Sequence, residues 1–156
     1  MSDDPASGFE LDPRLAADTV FVADWKLCRV LLMDDARFPW LILVPRRAGL
    51  VELDDLDEDS RTRLMHEIRF AMQILRGVAS CGKLNVGALG NIVRQLHVHV
   101  VARREGDAAW PAPVWGNGTA QRYAPEARDR LVEALCHEGS DHAEDSVFLP
   151  HTQGDG

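Results

Sequence analysis

The sequence predicts an α+β fold with a mostly antiparallel sheet, one long central helix and a C-terminal helix. Two observations favour this class. Strand-like apolar runs lie both before and after a single long amphipathic segment. The helices are also too few to cross over between every pair of strands, as a parallel sheet would require. At 156 residues, of which 46% are hydrophobic, the chain is long enough to bury one core.

The N-terminal part predicts a polar arm, a short helix and three strands. Residues 1–12 form the arm. Asp12 followed by Pro13 predicts a helix over 13–18, because aspartate caps helices and proline fits their first turn. Three apolar runs then predict strands, of which the last is apolar enough to be covered on both faces: 19–22 (TVFV), 26–33 (KLCRVLLM) and 40–44 (WLILV).

The clearest helix covers 57–80. Its apolar residues recur at steps of three and four, whereas Arg61, Glu67 and Gln73 fall on other faces. Residues 83–89 predict a short strand or an irregular loop, and 92–102 (IVRQLHVHVVA) predict the strongest strand of the chain.

The C-terminal part predicts a long loop, a closing helix and a tail. The loop covers 103–118 and contains Trp110 and Trp115, which we expect to pin it to the body of the protein. Proline at the first turn predicts the last helix over 125–138. We therefore expect a single domain over 1–138 and a flexible polar tail over 139–156.

Charge and composition exclude several classes of protein. The net charge of −8 argues against binding to nucleic acid, which needs a basic face, but it allows a small phosphate ligand. No run of 18 apolar residues predicts a membrane span, and the acidic N-terminus lacks a secretory pattern. The three scattered cysteines form no CxxC motif and indicate a reducing compartment, so we expect a cytoplasmic protein.

The segment that carries chemistry is Gln95-Leu96-His97-Val98-His99. Because side chains alternate along a strand, Gln95, His97 and His99 are expected on one face, and the apolar residues between them on the other. Two imidazoles at this spacing lie about 7 Å apart along the backbone and can address one phosphate group. A neutral imidazole can attack phosphorus, while a second one acts as an acid near neutral pH.

Other readings of the two histidines stay open. A His-x-His pair on a strand can also supply two of three metal ligands, although no HExxH motif and no clear third ligand accompany it here. Such a pair can equally be structural. The remaining histidines are expected at the surface: His66, His137, His142 and His151.

The segment GNIVRQLHVHVVAR resembles the signature of the histidine triad (HIT) superfamily, His-φ-His-φ-His-φ-φ, in which φ is apolar. Upstream, WLILVPRR followed by the acidic LVELDDLDED and a long helix is similar to the order of elements in that family. The similarity extends roughly over 27–115.

The resemblance implies a role for each matching position. His97 matches the family's nucleophile and His99 the histidine that contacts phosphate, whereas Gln95 replaces the first histidine of the triad. Two further departures are Trp40, which stands in place of a histidine and is expected in the core, and Ile92, which replaces a hydroxyl residue. The nucleotide is expected to contact four further residues: Asp34 at the ribose, Asn85, the turn glycine Gly90, and Asn91.

The resemblance therefore implies a nucleotidyl hydrolase or transferase that cleaves a phosphate linkage of a nucleotide or dinucleotide conjugate through a histidine nucleophile. It implies no cofactor and no metal in the chemical step, and a homodimer. The three departures from the family pattern support an alternative, a nucleotide-binding module with little or no turnover, because a lost proton-transfer partner can slow chemistry by about 10²–10⁴.

Overall fold

The computed structural model of the chain describes residues 6–143, with side chains described through Asp141. The elements in chain order are α1 (Pro13–Asp18), β1 (Thr19–Asp24), β2 (Cys28–Met33), β3 (Trp40–Pro45), α2 (Glu58–Val78), β4 (Lys83–Gly87), β5 (Val98–Arg103) and α3 (Pro125–Ala143), with a short 3-10 turn at Leu53–Asp55. The described part of the chain contains no helix of the length and apolar character that a membrane span requires.

The five strands form one sheet in the order β1-β2-β3-β5-β4, and every neighbouring pair is antiparallel. The predicted α+β class with an antiparallel sheet is therefore confirmed. Every residue of β3 is buried, as its apolar sequence predicts for a central strand covered on both faces.

One face of the sheet is covered by α2, on which α3 packs. Asp57 caps α2 by accepting a hydrogen bond from the main-chain N–H of Ser60. The prediction that Glu67 lies away from the core is wrong, because only 2% of this residue is exposed. Its carboxylate accepts the main-chain N–H groups of Leu27 and Cys28, at 2.8 and 2.9 Å, and so ties α2 to the start of β2.

The opposite face is covered by α1, the residues before it and the loop after β5. The expectation of a polar arm over 1–12 is wrong for the part of it that the structure describes. Phe9 and Leu11 pack against the buried cluster on this face of the sheet. The short helix predicted over 13–18 is present with those bounds, and it begins at the aspartate cap that predicts it.

Two elements differ in length from the prediction. The strand predicted over 92–102 begins only at Val98, and the residues from Ile92 to His97 are irregular. Helix α3 continues to Ala143, so the tail expected from Gly139 begins as helix; residues 144–156 lie outside the described residues. Helix α3 packs against α2, and Leu135 is buried in this contact.

Candidate active site

His97 and His99 lie side by side on the sheet face opposite α2. Leu96, Val98 and Val100 belong to the core beneath α2, so the two histidines alternate with them as predicted. The imidazole centroids are 4.8 Å apart, with the rings inclined at 66°. Both residues are buried, with 7% and 6% of their surfaces exposed. A buried imidazole needs a partner for its ring N–H, and that partner determines which nitrogen carries the proton.

The proton of His97 is fixed by a main-chain carbonyl. Its Nδ1 lies 2.6 Å from the carbonyl oxygen of Gln95. A carbonyl oxygen only accepts hydrogen bonds, so Nδ1 carries the hydrogen and donates it. In a neutral imidazole, the other nitrogen then has a free lone pair. His97 is thus held with Nε2 available as a nucleophile.

The proton of His99 is fixed in the opposite way. The indole Nε1–H of Trp40 donates to His99 Nδ1 at 3.0 Å. An indole nitrogen is a donor only, so Nδ1 must accept and Nε2 carries the hydrogen. Burial, and to a smaller extent the proximity of His97, lower the pKa of His99 to about 3. At neutral pH, His99 is therefore an uncharged imidazole with an N–H at Nε2.

Both histidines line a cleft with a volume of about 660 Å³. This volume is within the range of about 300–1,000 Å³ that is typical of small-molecule sites. Segments far apart in the sequence form its walls: α1, the end of β2 with the turn that follows, residues 89–93, and residues 114–122 of the loop after β5.

Charged residues of both signs line the cleft. Asp35 is buried and forms an ion pair of 2.7 Å with Arg37, which also donates to the carbonyl of Asn117. Although burial alone would raise the pKa of Asp35, hydrogen bonds from Arg37 and Gln121 outweigh burial and lower it. Asp34 pairs with Arg122 at 2.9 Å. The contacts of Arg37 with Asn117, of Asp35 with Gln121 and of Asp34 with Arg122 attach the loop after β5 to the turn after β2.

Five of the seven predicted site residues line this cleft: Asp34, Gly90, Asn91, His97 and His99. Gly90 has a φ of +70°, which explains the glycine at this turn. The other two predicted site residues, Gln95 and Asn85, are not among the residues that line it.

The side chain of Gln95 binds the N-terminal segment instead. Its Nε2 donates to the carbonyl of Glu10 at 2.8 Å, and its Oε1 accepts the N–H of Asp12 at 2.9 Å. The side chain of Gln95 is therefore engaged with the N-terminal segment, which covers the same face of the sheet as the two histidines, and it does not line the cleft with them. The main-chain carbonyl of Gln95 orients His97.

The side chain of Asn85 has a structural partner. Its Oδ1 accepts a hydrogen bond of 2.8 Å from Arg103, a residue that is only 1% exposed. Arg103 also forms an ion pair of 2.7 Å with Asp107 and donates to the carbonyl of Ala112. The hydrogen bonds from Arg103 lower the pKa of Asp107 to about 2. Asn85 thus belongs to a buried network that holds the loop after β5.

Two tryptophans of the site were not predicted to act there. Trp40 is 6% exposed, as expected of a core residue, yet it also contacts His99. Trp115 packs edge-on against both residues, with its centroid 5.5 Å from the His99 ring and 6.4 Å from the Trp40 ring. The sequence offers one indication of such a contact, because the N–H of a buried indole needs a hydrogen-bond acceptor.

The remaining histidines lie elsewhere. His66 and His137 are exposed, as predicted, whereas the side chain of His142 and the whole of His151 lie outside what the structure describes. Within residues 6–143, no group of three or more histidine, cysteine, aspartate or glutamate side chains is arranged to hold a metal ion.

Comparison with known proteins identifies similar chains. The HIT domain family matches residues 14–106. A histidine triad protein from Bradyrhizobium japonicum is 45% identical, with 83% of this chain and 97% of that chain covered and a TM-score of 0.81. A histidine triad protein from Sinorhizobium meliloti is 43% identical, with coverages of 85% and 98% and a TM-score of 0.83. An AP-4-A phosphorylase from Mycobacterium tuberculosis is 28% identical over 135 residues, which cover 82% of this chain and 69% of that protein.

Proposed function

The chain belongs to the HIT domain family, and on that premise we propose that it cleaves a phosphate linkage of a nucleotide or dinucleotide conjugate, with His97 as the nucleophile. One observation carries the proposal. Two buried imidazoles line the same cleft and hold their protons on opposite nitrogens, so that one offers a lone pair and the other an N–H. The similarity to an AP-4-A phosphorylase supports a dinucleotide as the substrate.

In the first step, the Nε2 lone pair of His97 attacks the α-phosphorus. A P–N bond forms as the P–O bond to the leaving group breaks, and the leaving oxygen keeps the electron pair. The ring of His97 becomes cationic as the bond forms. The hydrogen bond from its Nδ1–H to the carbonyl of Gln95, already 2.6 Å long, strengthens as this charge develops and so stabilises the intermediate.

His99 assists as a hydrogen-bond donor. Its Nε2–H is suited to a phosphoryl oxygen or to the leaving oxygen, whose negative charge grows in the transition state. In the second step, water or inorganic phosphate attacks phosphorus, the P–N bond breaks, and the electron pair returns to His97. The proton released by the attacking water leaves to solvent. His99 stays neutral throughout, in keeping with its low pKa.

We also propose binding roles for three residues of the cleft. Asp34 accepts from the N–H of Tyr123 and from Arg122, and a carboxylate has lone pairs left for a sugar hydroxyl. Gly90 and Asn91 lie in the segment that leads to the two histidines, and they line the cleft beside them. No role toward the nucleotide is proposed for the side chains of Gln95 and Asn85, because both are engaged elsewhere.

The test compares His97→Ala with His137→Ala, a matched change at an exposed histidine on α3. Both proteins are incubated with AP-4-A and with adenylyl and guanylyl conjugates, with and without inorganic phosphate. We expect the wild type and His137→Ala to release nucleotide at equal rates, and His97→Ala to be slower by about 10³-fold or more. Undiminished turnover by His97→Ala would exclude His97 as the nucleophile. Nucleotide binding without release by the wild type would support the binding module instead.

We further propose that the protein is a cytoplasmic homodimer. Strand β4 is one of the two edge strands of the sheet, and exposed apolar residues lie in it and in the segment after it, which also lines the cleft: Val86, Leu89 and Ile92. An open edge with apolar side chains favours pairing with a second copy. We expect light scattering to give twice the mass of the 17.3 kDa chain for the wild type, and the mass of a single chain for Val86→Lys.

All three cysteines are free thiols, which suits the reducing compartment that a cytoplasmic protein occupies.

A further inference from the structure

Trp40 is held rigidly beside His99. It is the first residue of β3 and pairs with Val101 of β5, which brings its side chain next to that of His99. Phe38 packs against the indole with a centroid distance of 6.5 Å, and Trp115 stands at 89° to it. An indole that packs against two aromatic rings and is 6% exposed has little freedom to turn its N–H elsewhere.

We propose that Trp40 is a positioning residue, which holds His99 as a neutral imidazole with its proton on Nε2, and so makes His99 a permanent hydrogen-bond donor to the phosphate. The consequence for phosphate rests on the function proposed above. The effect on His99 itself does not, because it follows from the contact between the two side chains.

The argument depends on what an indole nitrogen can do. Trp40 Nε1 always donates and never accepts, and it lies 3.0 Å from His99 Nδ1. A proton on Nδ1 would place two donors against each other in a buried contact, at the cost of one hydrogen bond and the repulsion of two N–H groups. Both the imidazolium and the other neutral tautomer are disfavoured for this reason.

This contact explains how a tryptophan can stand at position 40, where the family pattern has a histidine. The family resemblance expects a histidine there, and a histidine could either donate or accept according to its own protonation. Tryptophan has no protonation equilibrium near neutral pH and leaves a single arrangement. The departure at Trp40 is therefore compatible with catalysis, although from the sequence it supports a loss of activity.

Trp115 provides a matched comparison. Its ring is as near to His99 as that of Trp40, with centroid distances of 5.5 and 5.6 Å. Its Nε1 is buried, yet it has no hydrogen-bond partner within the described residues. Replacement of either tryptophan by phenylalanine removes one indole beside His99, but only at position 40 does it remove the hydrogen bond to His99.

The test is a nitrogen NMR spectrum of the histidine rings in the full-length protein labelled with ¹⁵N-histidine. In the wild type and in Trp115→Phe, we expect His99 to show a bare Nδ1 and a protonated Nε2, and His97 to show the reverse. In Trp40→Phe, we expect the two nitrogen shifts of His99 to move toward an average of the two tautomers, while those of His97 stay. An unchanged His99 pattern in Trp40→Phe would overturn the proposal.

A second measurement needs no variant and covers the case in which Trp40→Phe does not fold. In wild-type protein labelled at tryptophan and histidine, we expect a scalar coupling across the hydrogen bond between Trp40 Nε1 and His99 Nδ1. Its absence, or a proton found on His99 Nδ1, would overturn the proposal. Both spectra are independent of turnover.

The kinetic consequence separates this proposal from the proposed function. We expect Trp40→Phe to lower kcat by about tenfold with a smaller change in KM, because a donor to the transition state is lost while the pocket keeps an aromatic ring. A wild type without turnover but with the expected His99 pattern would remove the proposed reaction and leave the role of Trp40 intact. Normal turnover by Trp40→Phe despite a changed pattern would remove the catalytic consequence.

Discussion

At the scale of single residues, the proposed chemistry depends on which ring nitrogen carries the proton in each of the two histidines. Sequence alternation predicts that His97 and His99 share a face of the sheet, and the structure places them there. The proton positions could not be predicted, because one partner is Trp40, 59 residues from His99 in the chain. The other is a main-chain carbonyl, which any residue at position 95 would supply. Residue identity carries no information about that contact.

The neutral state of His99 makes a prediction about pH. Burial and His97 lower its pKa to about 3 in the folded protein, against an ordinary value of 6.5. Below about pH 6.5, His99 therefore binds a proton in the unfolded chain but not in the folded chain. The free energy of unfolding consequently falls as the pH falls. Over one pH unit in that window, His99 removes up to about 1.4 kcal/mol from the free energy of unfolding.

The measurement is urea unfolding at pH 7 and pH 5 for the wild type and for His99→Gln. We expect the wild type to lose about 2 kcal/mol more than the variant between the two values, and the His99 ring to show no titration between pH 8 and 5 by NMR. The same slope in both proteins, or a midpoint near 6.5 for His99, would show that the ring is protonated in the folded state.

At the scale of elements, the apolar patterns predict the strands and helices well, and the buried polar contacts less well. The predicted bounds of α1, β3 and α2 agree with the structure to within two residues, because each has a cap or an apolar run that marks its ends. The position of Glu67 did not follow from its pattern. Its carboxylate satisfies two buried N–H groups of another element, and such a requirement is visible only in three dimensions.

The loop after β5 depends on one buried ion pair. Arg103 and Asp107 are 1% and 4% exposed in their side chains, and Arg103 also binds Asn85 and Ala112. We expect Asp107→Asn to lower the free energy of unfolding by about 3 kcal/mol, because it leaves a buried guanidinium without its counter-charge. The matched change Asp129→Asn in an exposed pair should cost less than about 1 kcal/mol.

The ion pair between Arg103 and Asp107 also makes the free energy of unfolding depend on pH. The pKa of Asp107 is lowered to about 2 from an ordinary 3.8, so its contribution is present above about pH 4 and is lost as the pH falls toward 2. Denaturant melts at pH 7 and pH 3 measure both effects. Equal stability of Asp107→Asn and the wild type at pH 7 would contradict the role given to this pair.

At the scale of the whole molecule, the two faces of the sheet have different roles. One face is closed by α2 and α3 and provides the larger core, while the other face carries the histidines and the cleft. The sequence predicts this division through the alternation around His97. It does not predict the walls of the cleft, because they come from α1, the turn after β2 and the loop after β5. Contacts such as that of Asp12 with Gln95, 83 residues apart, have no signature in local periodicity.

For the molecule as a whole, the net charge of −8 is compatible with a phosphate site. Three arginines line the cleft, and two of them are paired with aspartates of the turn after β2: Arg14, Arg37 and Arg122. Under the proposed function, local donors recognise the phosphate without a basic surface, which would distinguish this site from one for nucleic acid.

The stereochemical course at phosphorus tests the central claim most directly, namely that His97 attacks the phosphate and is then released. The measurement uses an α-phosphorothioate dinucleotide of one configuration, cleaved in isotopically labelled water, with the configuration of the product read by phosphorus NMR. Two successive in-line displacements each invert the centre, so the account predicts overall retention. Inversion would mean a single displacement by water and would contradict a covalent intermediate on His97.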